Sequence, residues 1–488
     1  MPRVLIDTTT GRLCDRTQQE EAFETLPIFN ELLMATGIDE AHVWREVMEF
    51  FRYVMLSHKW EDGEPLFRKV EHLTVFELDV SPGNMKLKSF CSLVSSLGFR
   101  WAWSDTCCID KDNNVILQES LVAMFSWYRG SSLTLVYLYD VSSESRESGG
   151  LQRSVWNTRV WTYQEYLAAK RVQFYTSDWK PYLGLTSSNH KESPVIISEM
   201  EEASRVSAAQ VAVLRPGLDR VREKLHLASR RQTTHVEDIA YSLLGIFNVA
   251  IPVVYGENYR AVGRLLEHVL TGSGDVTILA WTGTANDYNS CLPKDLTVYD
   301  EVVPLHIPLL METTEVDRIV TELRSFLPSL SLATALYDQL NKLPIPTIAS
   351  SRLRLSGIVS RVTNVIHTSG PDPKTNLHAY HAVTTLFGDI QIKTASDLIE
   401  MKHLYLVHPW IHPLLDQEFS RDVDELDETI LALRLLARLR QPFGGLLFEK
   451  VARVEHVRVA ADSLIMAQVQ EDVPLSDLIG NIRVIDVQ

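Results

Sequence analysis

Between residues 53 and 139 the chain alternates short apolar runs with amphipathic stretches, and this alternation limits the fold more than any other feature. Tyr53 to Ser57 reads as a buried strand. Lys86 to Gly98 reads as a helix: Leu87, Phe90, Cys91, Val94 and Leu97 recur at helical spacing, and Gly98 can close the end. Trp101 to Thr106 is a second strand, and Leu117 to Arg129 a second helix with Leu121, Met124, Phe125 and Tyr128 on its apolar side. Leu133 to Tyr139 is almost continuously apolar, as a strand covered on both faces would be. Strands alternating with helices predict a parallel sheet with right-handed crossovers. After a polar loop from Ser142 to Gly150, a helix through Gln164 and Glu165 and a strand from Arg171 to Tyr175 continue the pattern.

The predicted organisation has four regions. Residues 1–50 hold a short apolar start (Val4 to Ile6) and acidic helical sequence; residues 51–190 form the α/β module. Residues 191–274 form a helical extension, in which Thr234 to Glu237 has the form of a capping box ahead of Ile239, Leu243, Leu244 and Phe247. Residues 275–488 form a β-rich α+β domain, with β-branched runs from Arg352 to Ile366, Ala379 to Lys393, Leu404 to Val407 and Leu446 to Val469, and a helix over Leu426 to Arg440. Within it, Leu406 to His412 pairs His408 and His412 at a metal-like spacing, but Pro409 argues against the helix such a site needs and favours a loop.

Several function classes are disfavoured. The net charge is −16 and no Lys/Arg run occurs, which argues against generic nucleic-acid binding. The cysteines, Cys14, Cys91, Cys107, Cys108 and Cys291, are odd in number and irregularly spaced, unlike a disulfide framework; the adjacent Cys107-Cys108 lacks a zinc-site spacer, and no metal site is expected. Neither a signal peptide nor an apolar run long enough to span a membrane is visible, so the expected location is the cytoplasm. No phosphate-binding Gly-Lys-Ser/Thr loop, GxGxxG, GxSxG or HExxH occurs.

Four segments in order carry a resemblance: Leu56-Ser57-His58-Lys59-Trp60; Trp103-Ser104-Asp105-Thr106-Cys107-Cys108-Ile109-Asp110-Lys111; Trp156 to Glu165; and Glu237 to Phe247 followed by Tyr255-Gly256-Glu257. Together with Met124 to Tyr128 they resemble the fungal heterokaryon-incompatibility (HET) domain family, in its mushroom-type form. Glu61 and Asn258 stand where that family often has Gly. The resemblance implies self/non-self recognition and programmed cell death. It further implies a likeness to TIR domains, flavodoxin-like α/β modules of which some hydrolyse NAD. Trp161-Thr162-Tyr163-Gln164-Glu165 is similar to the TIR Trp-Cys-x-x-Glu segment, with Thr162 in place of Cys, and makes Glu165 the candidate catalytic residue.

The resemblance thus predicts a flavodoxin/TIR-like module in which Glu165 lines an open hollow beside the ribose of a nucleotide and stabilises the cationic state of glycosidic cleavage. Ser57, His58 and Asp105 lie at predicted strand ends, where parallel sheets bind ligands, and join it as substrate-binding candidates. Trp60 and Trp161 are stacking candidates, and Arg159 a phosphate-binding candidate. Structural roles stand beside these: a turn cap for Asp105, a hydrogen-bonding role for His58, core packing for the tryptophans, and for Arg159 an ion pair with Asp105 or Glu165. No cofactor is assigned, and NAD enters only as a candidate substrate. The expected partners are a second copy or an incompatibility partner protein. A non-catalytic interaction module and an enzyme both remain open.

Overall fold

A computed structural model describes residues 1–34, 39–144, 148–212, 214–300, 321, 327–409, 432, 439, 443–452, 455–461, 465–470 and 472–488. They form two compact units, Met1–Gly217 with Arg231–Val253, and Leu218–Arg230 with Val254–Gln488.

The first unit runs β1 (Leu5–Asp7), β2 (Leu13–Cys14), α1 (Arg16–Glu24), α2 (Pro27–Met34), α3 (Glu40–Phe50), β3 (Tyr53–His58), α4 (Phe67–Glu71), α5 (Pro82–Ser96), β4 (Trp101–Trp103), α6 (Asn114–Gly130), β5 (Leu133–Leu138), α7 (Gly150–Arg153), α8 (Val160–Ala168), β6 (Val172–Thr176) and α9 (Pro194–Ser204). Local chemistry sets the helix starts. The Ser81 side chain accepts from the Asn84 N–H with Pro82 in the first turn of α5, and the Asn113 side chain accepts from Val115 and Ile116 to open α6. Both helices begin earlier than apolar periodicity suggests, because caps rather than core residues mark their ends. Strand β4 stops short of the predicted Thr106. Ser104 and Thr106 bond through their hydroxyls at 2.9 Å and the Ser104 carbonyl accepts from Cys108, which bends the chain into a turn.

The sheet order is β2-β1-β4-β3-β5-β6. Strands β4, β3, β5 and β6 are parallel, with Val54 opposite Ala102, and Ser57 and His58 opposite Val136 and Tyr137. The apolar start Val4 to Ile6 becomes part of an antiparallel hairpin on β4, so the sheet is mixed and not purely parallel. Leu5 and Ile6 are fully buried, so too short a stretch to show periodicity is fixed by tertiary packing.

Within the parallel part the order is second, first, third, fourth: a doubly wound α/β layout whose connections diverge between β3 and β5. Helix α8 packs on α6 and on β3. The turn Leu244–Phe247 closes on α6 so tightly that a Cβ at Gly245 would lie 2.1 Å from the Phe125 Cβ. The expected Thr234 capping box is not the helix start. Helix Asp238–Tyr241 has Glu237 at its N-cap without a side-chain cap bond, and Thr233 donates to Asp238 at 3.2 Å instead.

In the second unit the strands are β7 (Thr347–Ala349), β8 (Arg352–Ser369), β9 (His378–Thr384), β10 (Gly388–Thr394), β11 (Leu404–Pro409), β12 (Phe443–Lys450), β13 (Glu455–Arg458), β14 (Ile465–Ala467) and β15 (Ile482–Val487). The sheet order is β10-β9-β8-β11-β12-β13-β15, with β14 on β12 and β7 on β8. The β-rich expectation holds, but the stretch from Leu406 is strand and not loop as far as Pro409. A proline at a strand end costs the ladder little. His408 is buried there against the Phe443 ring, 3.9 Å between centroids. Trp410 to His412 lie outside the described residues, as does nearly all of the predicted helix 426–440.

Candidate functional site

Successive residues of β3 serve opposite faces of the sheet, and two polar groups follow from that. On the α6/α8 face, Ser57 bonds the Glu165 carboxyl from α8, and its hydroxyl oxygen accepts from the Trp156 indole N–H at 2.9 Å. The Tyr128 hydroxyl of α6 stands near Glu165 and donates to the Leu56 carbonyl at 2.8 Å. Burial, and then the nearby Asp105 charge, push the Glu165 carboxyl up to about 8, against the opposing hydrogen bonds of Ser57 and Tyr128 and the charge of Arg231. Glu165 is only 4% exposed, so the open hollow expected around it is closed in this structure.

On the other face, at the strand ends, His58 Nε2 lies 3.1 Å from Asp105 Oδ1, and the Trp60 indole N–H donates to Asp105 Oδ2 at 2.7 Å. Asp105 is 21% exposed along its side chain and Trp60 42% overall, so this group forms an accessible rim. Burial opposes ionisation of Asp105, yet the His58 hydrogen bond, the Lys111 charge and the Trp60 N–H hold its carboxyl below the usual carboxylate range. Lys86 from α5 pairs with Glu61 at 3.0 Å and with Glu64, and Lys59 donates to the Tyr139 hydroxyl at 3.2 Å. The Lys111 ammonium sits over the Trp60 ring, 3.3 Å from its centroid, and burial lowers its pKa.

The structure therefore brings Ser57 and Glu165 into direct contact, and His58, Trp60 and Asp105 into another group beside them. Arg159 stands at the N-cap of α8. Its carbonyl, rather than an ion pair of its side chain, is what joins the network, accepting from Arg231 Nη1 at 3.0 Å and from the Thr162 hydroxyl at 2.9 Å. Arg231, which sequence reasoning missed, supplies the cation near Glu165, its guanidinium also lying 5.1 Å from the centre of the Tyr163 ring. Trp161 is half-buried on α8. Trp156, fully buried, is the tryptophan that reaches the network. No motif spacing announces Arg231 or Lys86, and the part that Tyr128 plays is visible only once α6 packs on α8 and α8 on β3.

Residues 53–150 match the family described as Heterokaryon incompatibility protein (HET). This stretch is similar to a HET domain. The matched residues contain β3, β4, β5, α5 and α6, with Ser57, His58, Trp60 and Asp105; Glu165 on α8 lies beyond them and is tied back by its bond to Ser57. Over 247 residues, 48% of this chain, the protein is 33% identical to the Vegetative incompatibility protein HET-E-1 of Podospora anserina. The stretch covers 17% of that relative's length. No solved structure matches the chain. Among the described residues no helix is long and apolar enough to cross a membrane.

Proposed function

We propose that this chain is a HET-domain protein acting in vegetative incompatibility, and that its domain is a TIR-like module that signals cell death by cleaving the nicotinamide–ribose bond of NAD or a related nucleotide. The observation that carries this reading is the Glu165–Ser57 contact at the end of β3. The contact lies beside the divergence of the connections, where doubly wound sheets bind nucleotides. In the reaction, nicotinamide leaves with the bonding electron pair. An ionised Glu165 stabilises the ribosyl cation and holds the ribose hydroxyls, and water adds to the anomeric carbon and releases a proton. With Glu165 neutral and covered in the resting chain, the proposal includes a step that uncovers it, for which assembly of copies is the natural trigger.

The closed carboxyl also favours a second reading. If Ser57, Trp156, Tyr128 and Glu165 only hold α8 to β3, the domain signals by binding alone. Expression of the chain in hyphae separates the two. The enzyme reading expects wild-type chain to arrest growth and Glu165→Gln, equally abundant and folded, to lose that effect. Arrest by Glu165→Gln at the wild-type level would leave the scaffold reading in its place.

A further inference from the structure

Lysine ammonium groups on the rim are satisfied with one exception. Lys86 is paired with two carboxylates and Lys59 with a hydroxyl, whereas the buried Lys111 Nζ has no hydrogen-bond partner among the described residues. It lies against the Trp60 ring, which satisfies its charge in part but none of its donors. Asp105 attracts it, yet the two hydrogen-bond contacts found at the Asp105 oxygens are with His58 and Trp60 and none is with Lys111. Leaving a buried charged donor unmet costs more than leaving a neutral one unmet. His58 Nδ1, a second buried atom without a hydrogen-bond partner, lies in the same group, 3.6 Å from Glu64. Against Lys111 lies the exposed indole of Trp60, whose N–H donates to Asp105.

We propose that Lys111 is the anion-recognising residue of this site, and that Trp60 is a hinged cover that swings off it to admit the phosphate groups of a nucleotide. A phosphate offers the acceptor oxygens that Lys111 lacks, and a charge-assisted bond is about twice as strong as a neutral one. The released indole supplies a flat face for the base. The inference rests on the nucleotide reading above and adds where the phosphates sit.

The test is calorimetric titration of the full-length chain with ADP and with inorganic pyrophosphate. Wild type binds ADP; Lys111→Met weakens binding by at least about tenfold, while Lys111→Arg stays within about threefold. The fluorescence change on binding is reduced in Trp60→Phe. Equal ADP affinity in wild type and Lys111→Met, or no binding by wild type, overturns the proposal. Should Lys111→Met fail to fold, labelling of the wild-type chain carries the test. Pyridoxal 5′-phosphate followed by borohydride must modify Lys111 and be blocked by ADP; modification only elsewhere overturns the site. ADP binding through Lys111 without any NAD consumption removes the hydrolytic reading and leaves the site. NAD consumption with an unchanged KM in Lys111→Met removes the site and leaves the hydrolytic reading.

Discussion

Glu165 makes two pH-dependent predictions whose signs follow from one cause: burial pushes its carboxyl up to about 8, so that folding favours the protonated form. Between about 4.5 and about 8, unfolding therefore releases a proton, and raising the pH favours the unfolded state by about 1.4 kcal/mol per pH unit at most. Glu165→Gln removes this loss. Thermal melts from pH 5 to 8 should show wild-type stability falling relative to Glu165→Gln, and parallel curves would mean that the carboxyl is already ionised. If the ionised form is the working one, nucleotide cleavage should rise as pH increases through about 8; a rate falling over that range contradicts the assignment. Ser57→Ala leaves the Trp156 N–H and the Glu165 carboxyl without their shared partner, and urea unfolding should register a loss of about 1–3 kcal/mol. The types of these residues were legible in the sequence: the motif segments carried Ser57, His58, Trp60, Asp105 and Glu165. Their protonation and their division between two sheet faces were not, because burial exists only after α6 and α8 pack.

At the scale of elements, periodicity located β3, α5, α6, β5 and β6 well. Apolar spacing is a local property, and in these segments the core agrees with it. It failed for the β1–β2 hairpin, whose short strands are specified by pairing to β4, and for β4 itself, cut short by hydroxyl and carbonyl bonds in the following turn. Gly245 shows the same limit. The sequence marks it as part of a family-like segment, while the structure shows that its missing side chain lets the turn Leu244–Phe247 reach α6. Gly245→Ala forces Phe125 or the backbone to move. Overpacking of this kind typically costs about 1–3 kcal/mol, measurable as a lowered urea midpoint. An unchanged midpoint would mean that the contact is looser than described.

Across the whole molecule, two units each bury their own core, and the chemistry proposed here belongs to the first. The second is held by a different device. The buried Arg458 guanidinium donates to the carbonyls of Leu279, Trp281 and Cys291 and stacks on Trp281 at 3.9 Å, fastening the segment after residue 275 to β13. Arg458→Met should cost at least about 3 kcal/mol by stranding those carbonyls, seen as early loss of β signal in a circular-dichroism melt. Nothing in composition foretells this, since one arginine among 47 basic residues carries no sequence mark of burial. The central claim, that the carboxyl tied to the end of β3 cleaves a nucleotide, is tested most directly by following nicotinamide release from NAD with purified chain at high concentration and in crowded, assembled form. Release by wild type and none by folded Glu165→Gln is the predicted result. No release by wild type in any assembled state, or equal release by both, contradicts it.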